Sequence, residues 1–121
     1  MARFEIGGKE YELKLNYASV KYLDALYEGG SLGLLGKALS GDLDTVVHVI
    51  HAGLFHTGKN FTLKDVEKAV EEAFETEKFD LDYALKLVNE VITESFFYKK
   101  TVAKLLAKAP EAKATMDELL K

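Results

Sequence analysis

A chain of 121 residues has the length of one domain and can bury a modest core without covalent staples. Its 48% hydrophobic and 30% charged residues exclude a disordered chain, and the lack of cysteine excludes disulfides and thiolate metal sites. A net charge of -4 argues against nucleic acid as the main partner, since only a small lysine cluster (Lys99, Lys100, Lys104, Lys108) opposes it.

The start, Met1-Ala2-Arg3-Phe4-Glu5, is charged and then alternates, so no signal peptide is expected there. The longest apolar run, near Val46 to Phe55, is interrupted by His48 and His51 and is far too short to span a bilayer. No membrane partner is expected, and a cysteine-free chain suits a reducing cytoplasm.

Phe4-Glu5-Ile6 and Tyr11-Glu12-Leu13-Lys14-Leu15 alternate apolar and polar residues around Gly7-Gly8. Two glycines supply the positive φ of a tight turn, so the pattern predicts a β-hairpin with Phe4, Ile6, Tyr11, Leu13 and Leu15 on one face. An isolated hairpin is marginal in water, so it must pack on something helical.

Asn16 is a plausible N-cap for a helix with Val20, Leu23, Leu26 and Tyr27 inward and Tyr17, Lys21, Asp24 and Glu28 outward. Gly29-Gly30 stops it. Ser31 caps a short helix through Leu39, with Leu32, Leu35 and Leu39 inward; Gly33 and Gly36 weaken it or allow close packing. After Ser40-Gly41-Asp42 a helix runs from about Leu43 to His56, with Leu43, Val46, Val47, Ile50 and Leu54 as its stripe.

Thr62-Leu63-Lys64-Asp65 reads as a capped start. The helix after it buries Leu63, Val66, Ala69, Val70, Ala73 and Phe74 and exposes Lys64, Glu67, Lys68, Glu71, Glu72 and Glu75. Asp80 caps a long segment from Leu81 to about Phe97, with Leu81, Ala84, Leu85, Val88, Ile92 and Phe96 inward. The same stripe would carry Lys99 into the core, so a break is expected near Phe97 to Lys100, followed by a helix from Thr101 to Lys108. Ala109-Pro110 ends it. The expected fold is mainly α, a small N-terminal hairpin on a bundle of about five to six helices. Residues 1–110 form one domain and 111–121 a short helical tail.

Candidate chemistry is sparse. Gly53 to Asn60 has the G-x-x-x-x-G-K spacing of a phosphate-cradling loop, but Asn60 replaces the hydroxyl that would hold magnesium and no second strand offers an aspartate. His48 and His51 stand at i, i+3, yet structural zinc wants four ligands; a semi-buried or interface histidine is the plainer reading. Glu71, Glu72, Glu75 and Glu77 read as a solvated face, not as paired catalytic carboxylates. No serine sits in a nucleophile elbow. No enzyme, cofactor or metal is expected.

The informative excess is apolar. Tyr83, Leu87, Val91 and Tyr98 add a second row to the segment from Leu81 to Phe97, and Phe55 and Phe97 fall off their stripes. So wide a band means either a partner or a central helix packed on two sides. On the first reading Leu87, Val91, Phe97 and Tyr98, with Leu105, form a partner-binding or self-association surface.

The order of parts carries a resemblance. The hairpin Phe4-Glu5-Ile6-Gly7-Gly8-Lys9-Glu10-Tyr11-Glu12-Leu13 is followed by Val20-Lys21-Tyr22-Leu23-Asp24, by Leu32 to Leu39, and by Gly41-Asp42 before a helix ending in Ala52-Gly53-Leu54. Thr62-Leu63-Lys64-Asp65-Val66, an acidic helix and a long helix complete it. Over about residues 3 to 108 this resembles the tail assembly chaperones of long-tailed phages with Gram-positive hosts. The resemblance implies a protein of the host cytoplasm, absent from the mature virion. It would bind the tape measure protein, keep it soluble and help recruit tail tube subunits. The family brings no catalytic residues. Two alternatives stay open, another helical protein-binding adaptor and a small nucleotide-binding domain using Gly53 to Asn60.

Overall fold

The computed structural model describes residues 2–95 and 98–108, apart from the side chains of 31, 32, 39, 101, 102, 105, 106 and 108. The expected tail over 111–121 and the side chains of Phe96 and Phe97 lie outside these.

β1 (Arg3–Ile6) pairs antiparallel with β2 (Lys9–Glu12) in the register Arg3↔Glu12, Phe4↔Tyr11, Glu5↔Glu10, Ile6↔Lys9. Gly7 and Gly8 turn the chain at φ 63° and 79°, the left-handed pair that a two-residue hairpin loop requires. Alternation buries Phe4 and Ile6, and Leu13 and Leu15 continue the buried side beyond β2. Lys14 N donates to Gly53 O at 3.0 Å and ties the hairpin to the helices.

Local capping chemistry starts most of the helices. α1 (Tyr17–Leu26) begins at a reciprocal box in which Asn16 Oδ1 accepts from Ser19 N at 2.9 Å and Ser19 Oγ accepts from Asn16 N at 3.2 Å. α2 (Ser31–Ser40) starts one residue earlier than its hydroxyl suggested: Gly30 is the cap residue and Ser31 is the first helical one. α3 (Leu43–Gly53) is capped by Asp42, whose Oδ2 accepts from Thr45 N and Thr45 Oγ1. α3 ends at Gly53 and a single 3₁₀ turn over Phe55–Thr57 replaces the expected continuation to His56.

α4 (Leu63–Glu75) opens with a second reciprocal box between Thr62 and Asp65. α5 (Leu81–Glu94) is capped by Asp80 Oδ1, which accepts from Tyr83 N at 2.7 Å. α6 (Lys99–Lys108) follows a break. That break falls slightly before the expected position, at Ser95, whose ψ of 124° is extended. The earlier stop lets Tyr98 turn inward while Lys99 stays exposed.

α3 is the centre of the bundle, with α1, α2, α4 and α5 all packed on it. Thr45, Val46, Val49, Ile50, His51, Ala52 and Gly53 are buried, so α3 is enclosed on more than the single stripe the periodicity gave. Three residues expected inward are exposed instead: Leu26 at 44%, Leu43 at 56% and Leu81 at 49%. Each sits in the first or last turn of its helix, where the apolar stripe outruns the neighbour that would cover it. The expected α4 faces are observed, with Val66 and Val70 buried and Lys64, Glu67, Lys68, Glu71, Glu72 and Glu75 exposed.

The two glycines inside α2 differ in surroundings. A Cβ on Gly33 would lie 2.2 Å from the Glu28 carbonyl oxygen, whereas one on Gly36 meets nothing within 4 Å. Gly33→Ala is therefore expected to destabilise the fold by roughly 1–3 kcal/mol through overpacking. Gly36→Ala is expected to stabilise it by about 0.5–1 kcal/mol through helix propensity. Urea denaturation of the two variants checks the opposite signs.

Candidate partner-binding surface

The residues selected from sequence for partner binding are placed mostly inside. Leu87 is 5% exposed, Val91 3% and Tyr98 1%. This corrects the reading of the second row as an open surface. The cause is that α2 and α3 pack on α5 and α6 folds back over it, so the wide band is covered within the chain. Tyr98 also donates its hydroxyl proton to Asp24 Oδ1 at 3.3 Å, which fixes the start of α6 to α1. Burial raises the pKa of Tyr98, and Asp24 raises it further. Phe97 and the side chain of Leu105 lie outside the described residues. Tyr83, the remaining member of the row, is 48% exposed.

Tyr83 belongs to a different feature. Between β1 and α4 lies an open groove of about 410 Å³, walled by Arg3 to Gly8 on one side and by Ala69, Glu72, Ala73 and Thr76 on the other. Phe79 and Tyr83 close one end. The Phe79 ring is held edge-on by Phe4 and Phe74, both at 5.7 Å, and lies 5.1 Å from Tyr83. The groove therefore has a fixed aromatic end and small alanine side chains along one wall. Its rim is charged: Arg3 Nη1 meets Glu10 Oε1 at 3.2 Å, and Lys78 Nζ meets Glu5 Oε2 at 3.1 Å. Both pairs are solvent-exposed and exchange partners at small cost. Phe79 was missed from sequence because it lies between two helices, where no period assigns a face.

A second polar feature joins α1 to α3. Tyr22 Oη lies 2.8 Å from His48 Nδ1 and 3.4 Å from His51 Nδ1, and His51 Nε2 lies 3.0 Å from the carbonyl of Phe61. One proton arrangement satisfies all three contacts: His51 Nε2–H donates to the Phe61 carbonyl, Tyr22 donates to His51 Nδ1 and His48 Nδ1–H donates to Tyr22. Tyr22, His51 and Phe55 also stack edge-on, at 5.3 Å for Tyr22–Phe55 and 5.0 Å for His51–Phe55. His51 thus serves as a satisfied interior histidine, as its place beside the core stripe suggested.

Other candidate chemistries find no support in the geometry. The segment before Gly53 is helix, not strand, so Gly53 to Asn60 lacks the strand–loop–helix setting of a phosphate loop. Among the described residues no three or more His, Asp or Glu side chains gather as metal ligands. Glu71, Glu72, Glu75 and Glu77 are all exposed. Among the described residues no helix is long and apolar enough to cross a membrane.

A mainly α-helical module with a terminal hairpin and an open groove beside it is thus the class of protein in hand. The sequence matches the family described as phage tail assembly chaperone protein, TAC, over residues 3–107. The chain belongs to that family. No curated protein and no solved structure matches it.

The pKa of His48 is lowered, chiefly because burial disfavours the cation, with the nearby His51 adding to the shift against the opposing effects of Asp44, Asp42 and Glu67. A folded-state pKa below the unfolded value of about 6.5 means that the folded state binds fewer protons. The stability His48 contributes is therefore present at neutral pH and lost as the pH falls through that value. His48→Asn, which keeps an amide donor for Tyr22, is expected to shrink the loss of Tm between about pH 7 and 5. Thermal melts of both proteins across that range provide the check.

Proposed function

We propose that this chain binds the tape measure protein during phage tail assembly, keeps that long helical chain soluble and helps recruit tail tube subunits. It acts in the host cytoplasm and leaves before the virion matures. Its role is binding, not catalysis. The observation that carries this reading is the family match across nearly the whole described chain. The surface supports it: a chaperone needs exposed apolar anchors rimmed by charges that keep it soluble. The groove between β1 and α4 offers this with the half-exposed Tyr83 and the partly buried Ala69 and Ala73, set against the buried Phe79 and beside the exposed acidic face of α4. Leu81, 49% exposed, stands two residues before Tyr83.

Leu87, Val91 and Tyr98 are not carried into this proposal, because a client reaches them only after the helices part. Phe97 and Leu105 are kept in it as contact candidates. Self-association in the absence of client is part of the same reading.

Co-expression with the tape measure protein of the same phage tests it. The wild-type chain is expected to co-purify with the client and hold it in the soluble fraction. Tyr83→Ser is expected to weaken the complex about tenfold or more while leaving the fold intact, since Tyr83 is a half-exposed anchor at the groove's end. The same measurement on Phe97→Ser and Leu105→Ser decides whether they belong to the surface. A soluble client without the chain, or no complex with the wild type, refutes the assignment.

A further inference from the structure

The groove has one wall that a helical guest cannot use. In the hairpin Ile6 and Lys9 flank the two-residue loop and form the hydrogen-bonded pair that closes it. Alternation then turns the backbone of Phe4 and Ala2 toward β2, and Leu13 N accordingly donates to Ala2 O at 2.8 Å. The N–H and C=O of Glu5 point the other way, toward the groove side of β1. Among the described residues no backbone group outside the hairpin bonds to Glu5. The far side of β2 is partly occupied, since His56 Nε2 donates to Glu12 O at 2.7 Å. Of the two edges of this small sheet it is β1 that borders the groove.

We infer that the groove receives an extended segment of the client, which adds to β1 as a third strand. The inference rests on the chaperone reading above and specifies the form of the guest. A helix satisfies its own backbone and would leave the Glu5 groups facing it unpaired, whereas an extended chain pairs them. The dimensions agree. β1 is about 13 Å long, a new strand lies about 4.8 Å from it, and one side-chain layer is about 5 Å deep, giving roughly 300 Å³. The cavity holds about 410 Å³.

The two faces of the site define the chemistry of the guest. Side chains pointing inward meet Ala69, Ala73 and Phe79 and must be apolar. Those pointing outward lie beside Arg3 and Glu5, so an acid facing Arg3 and a base facing Glu5 are favoured. The same two charges disfavour casual pairing with an uncharged strand. The guest is an extended peptide with apolar residues at alternate positions and mixed charge between them.

Glu5→Pro tests the backbone bond directly. Proline removes the outward N–H, which the hairpin does not use, and edge positions of this kind tolerate it. Glu5→Ala removes the side chain and its Lys78 pair but keeps the N–H. Affinity for the full-length tape measure protein is expected to fall about tenfold in Glu5→Pro and to change less than about threefold in Glu5→Ala. Wild-type affinity in a folded Glu5→Pro overturns strand addition. If Tyr83→Ser still loses binding in that case, the groove reading stands; if Tyr83→Ser also binds normally, the groove reading falls too. Should Glu5→Pro fail to fold, amide exchange on the wild-type complex decides. Slowed exchange at Glu5 supports the inference, and unchanged exchange at Glu5 overturns it.

Discussion

The enclosure of α3 is the constraint on which the other elements depend. Only Leu43, Asp44, Val47 and His48 of α3 keep a solvent-facing side, so little of the helix is free to absorb packing errors and its neighbours are held at a fixed approach. The tightest ties converge on its C-terminal end. Ser19 Oγ donates to the Ala52 carbonyl at 2.7 Å inside the core, and Lys14 N donates to the Gly53 carbonyl. These bonds engage carbonyls at the end of α3, where the helical ladder runs out. They also join the end of the hairpin, the first turn of α1 and the end of α3 at one point. A Cβ on Gly53 would lie 3.1 Å from Leu13 Cβ, so the small residue there sets how closely the hairpin approaches. The groove between β1 and α4 is thus positioned by contacts made at the far side of the hairpin.

What sequence reading recovered was the local chemistry. Asn16, Thr62 and Asp80 all cap the helices they were expected to cap, because a cap is decided by four consecutive residues and needs no neighbour; Asp42, read only as part of a break, caps α3 in the same way. The Gly7-Gly8 turn is local in the same sense. The acidic face of α4 was also legible, since a strong apolar stripe leaves only one side for charges. Ser31 was misread by one residue because Gly30, at φ 60°, makes the turn into α2 and takes the cap position with no side-chain hydrogen bond.

Tertiary placement was legible only in part, and the reason is geometric. Periodicity shows which residues share a face but not how far a neighbouring helix extends along it. Leu26, Leu43 and Leu81 all lie on apolar stripes and all stand at helix ends that no neighbour covers. The groove was not legible because its walls come from segments some sixty residues apart in sequence, and Phe79, which closes one end, belongs to no helix. The histidine chain through Tyr22 was hidden for the same reason, as it bridges α1 and α3.

The wide apolar band on α5 posed a choice between a partner and a second packed side, and the chain itself resolves it. α6 folds back over α5, and α2 packs against both. The buried Tyr98 sits at the hinge of that return, bonded to Asp24. The covering element is short, and its described outer residues, Lys99, Lys100, Ala103, Lys104 and Ala107, are lysine or alanine. An apolar band that one's own helix covers contributes to stability, because its burial is part of folding. It does not contribute to client affinity unless that helix is first displaced, which would return the same burial energy. A surface meant for exchange with a client is better made from groups that cost little to uncover. The half-exposed Tyr83, the exposed Leu81 and the weakly paired rim of Arg3, Glu5, Glu10 and Lys78 have that character. On this argument the proposed division of labour follows from free energy: the deep row on α5 holds the fold, and the proposed client contact falls to the shallow groove beside β1.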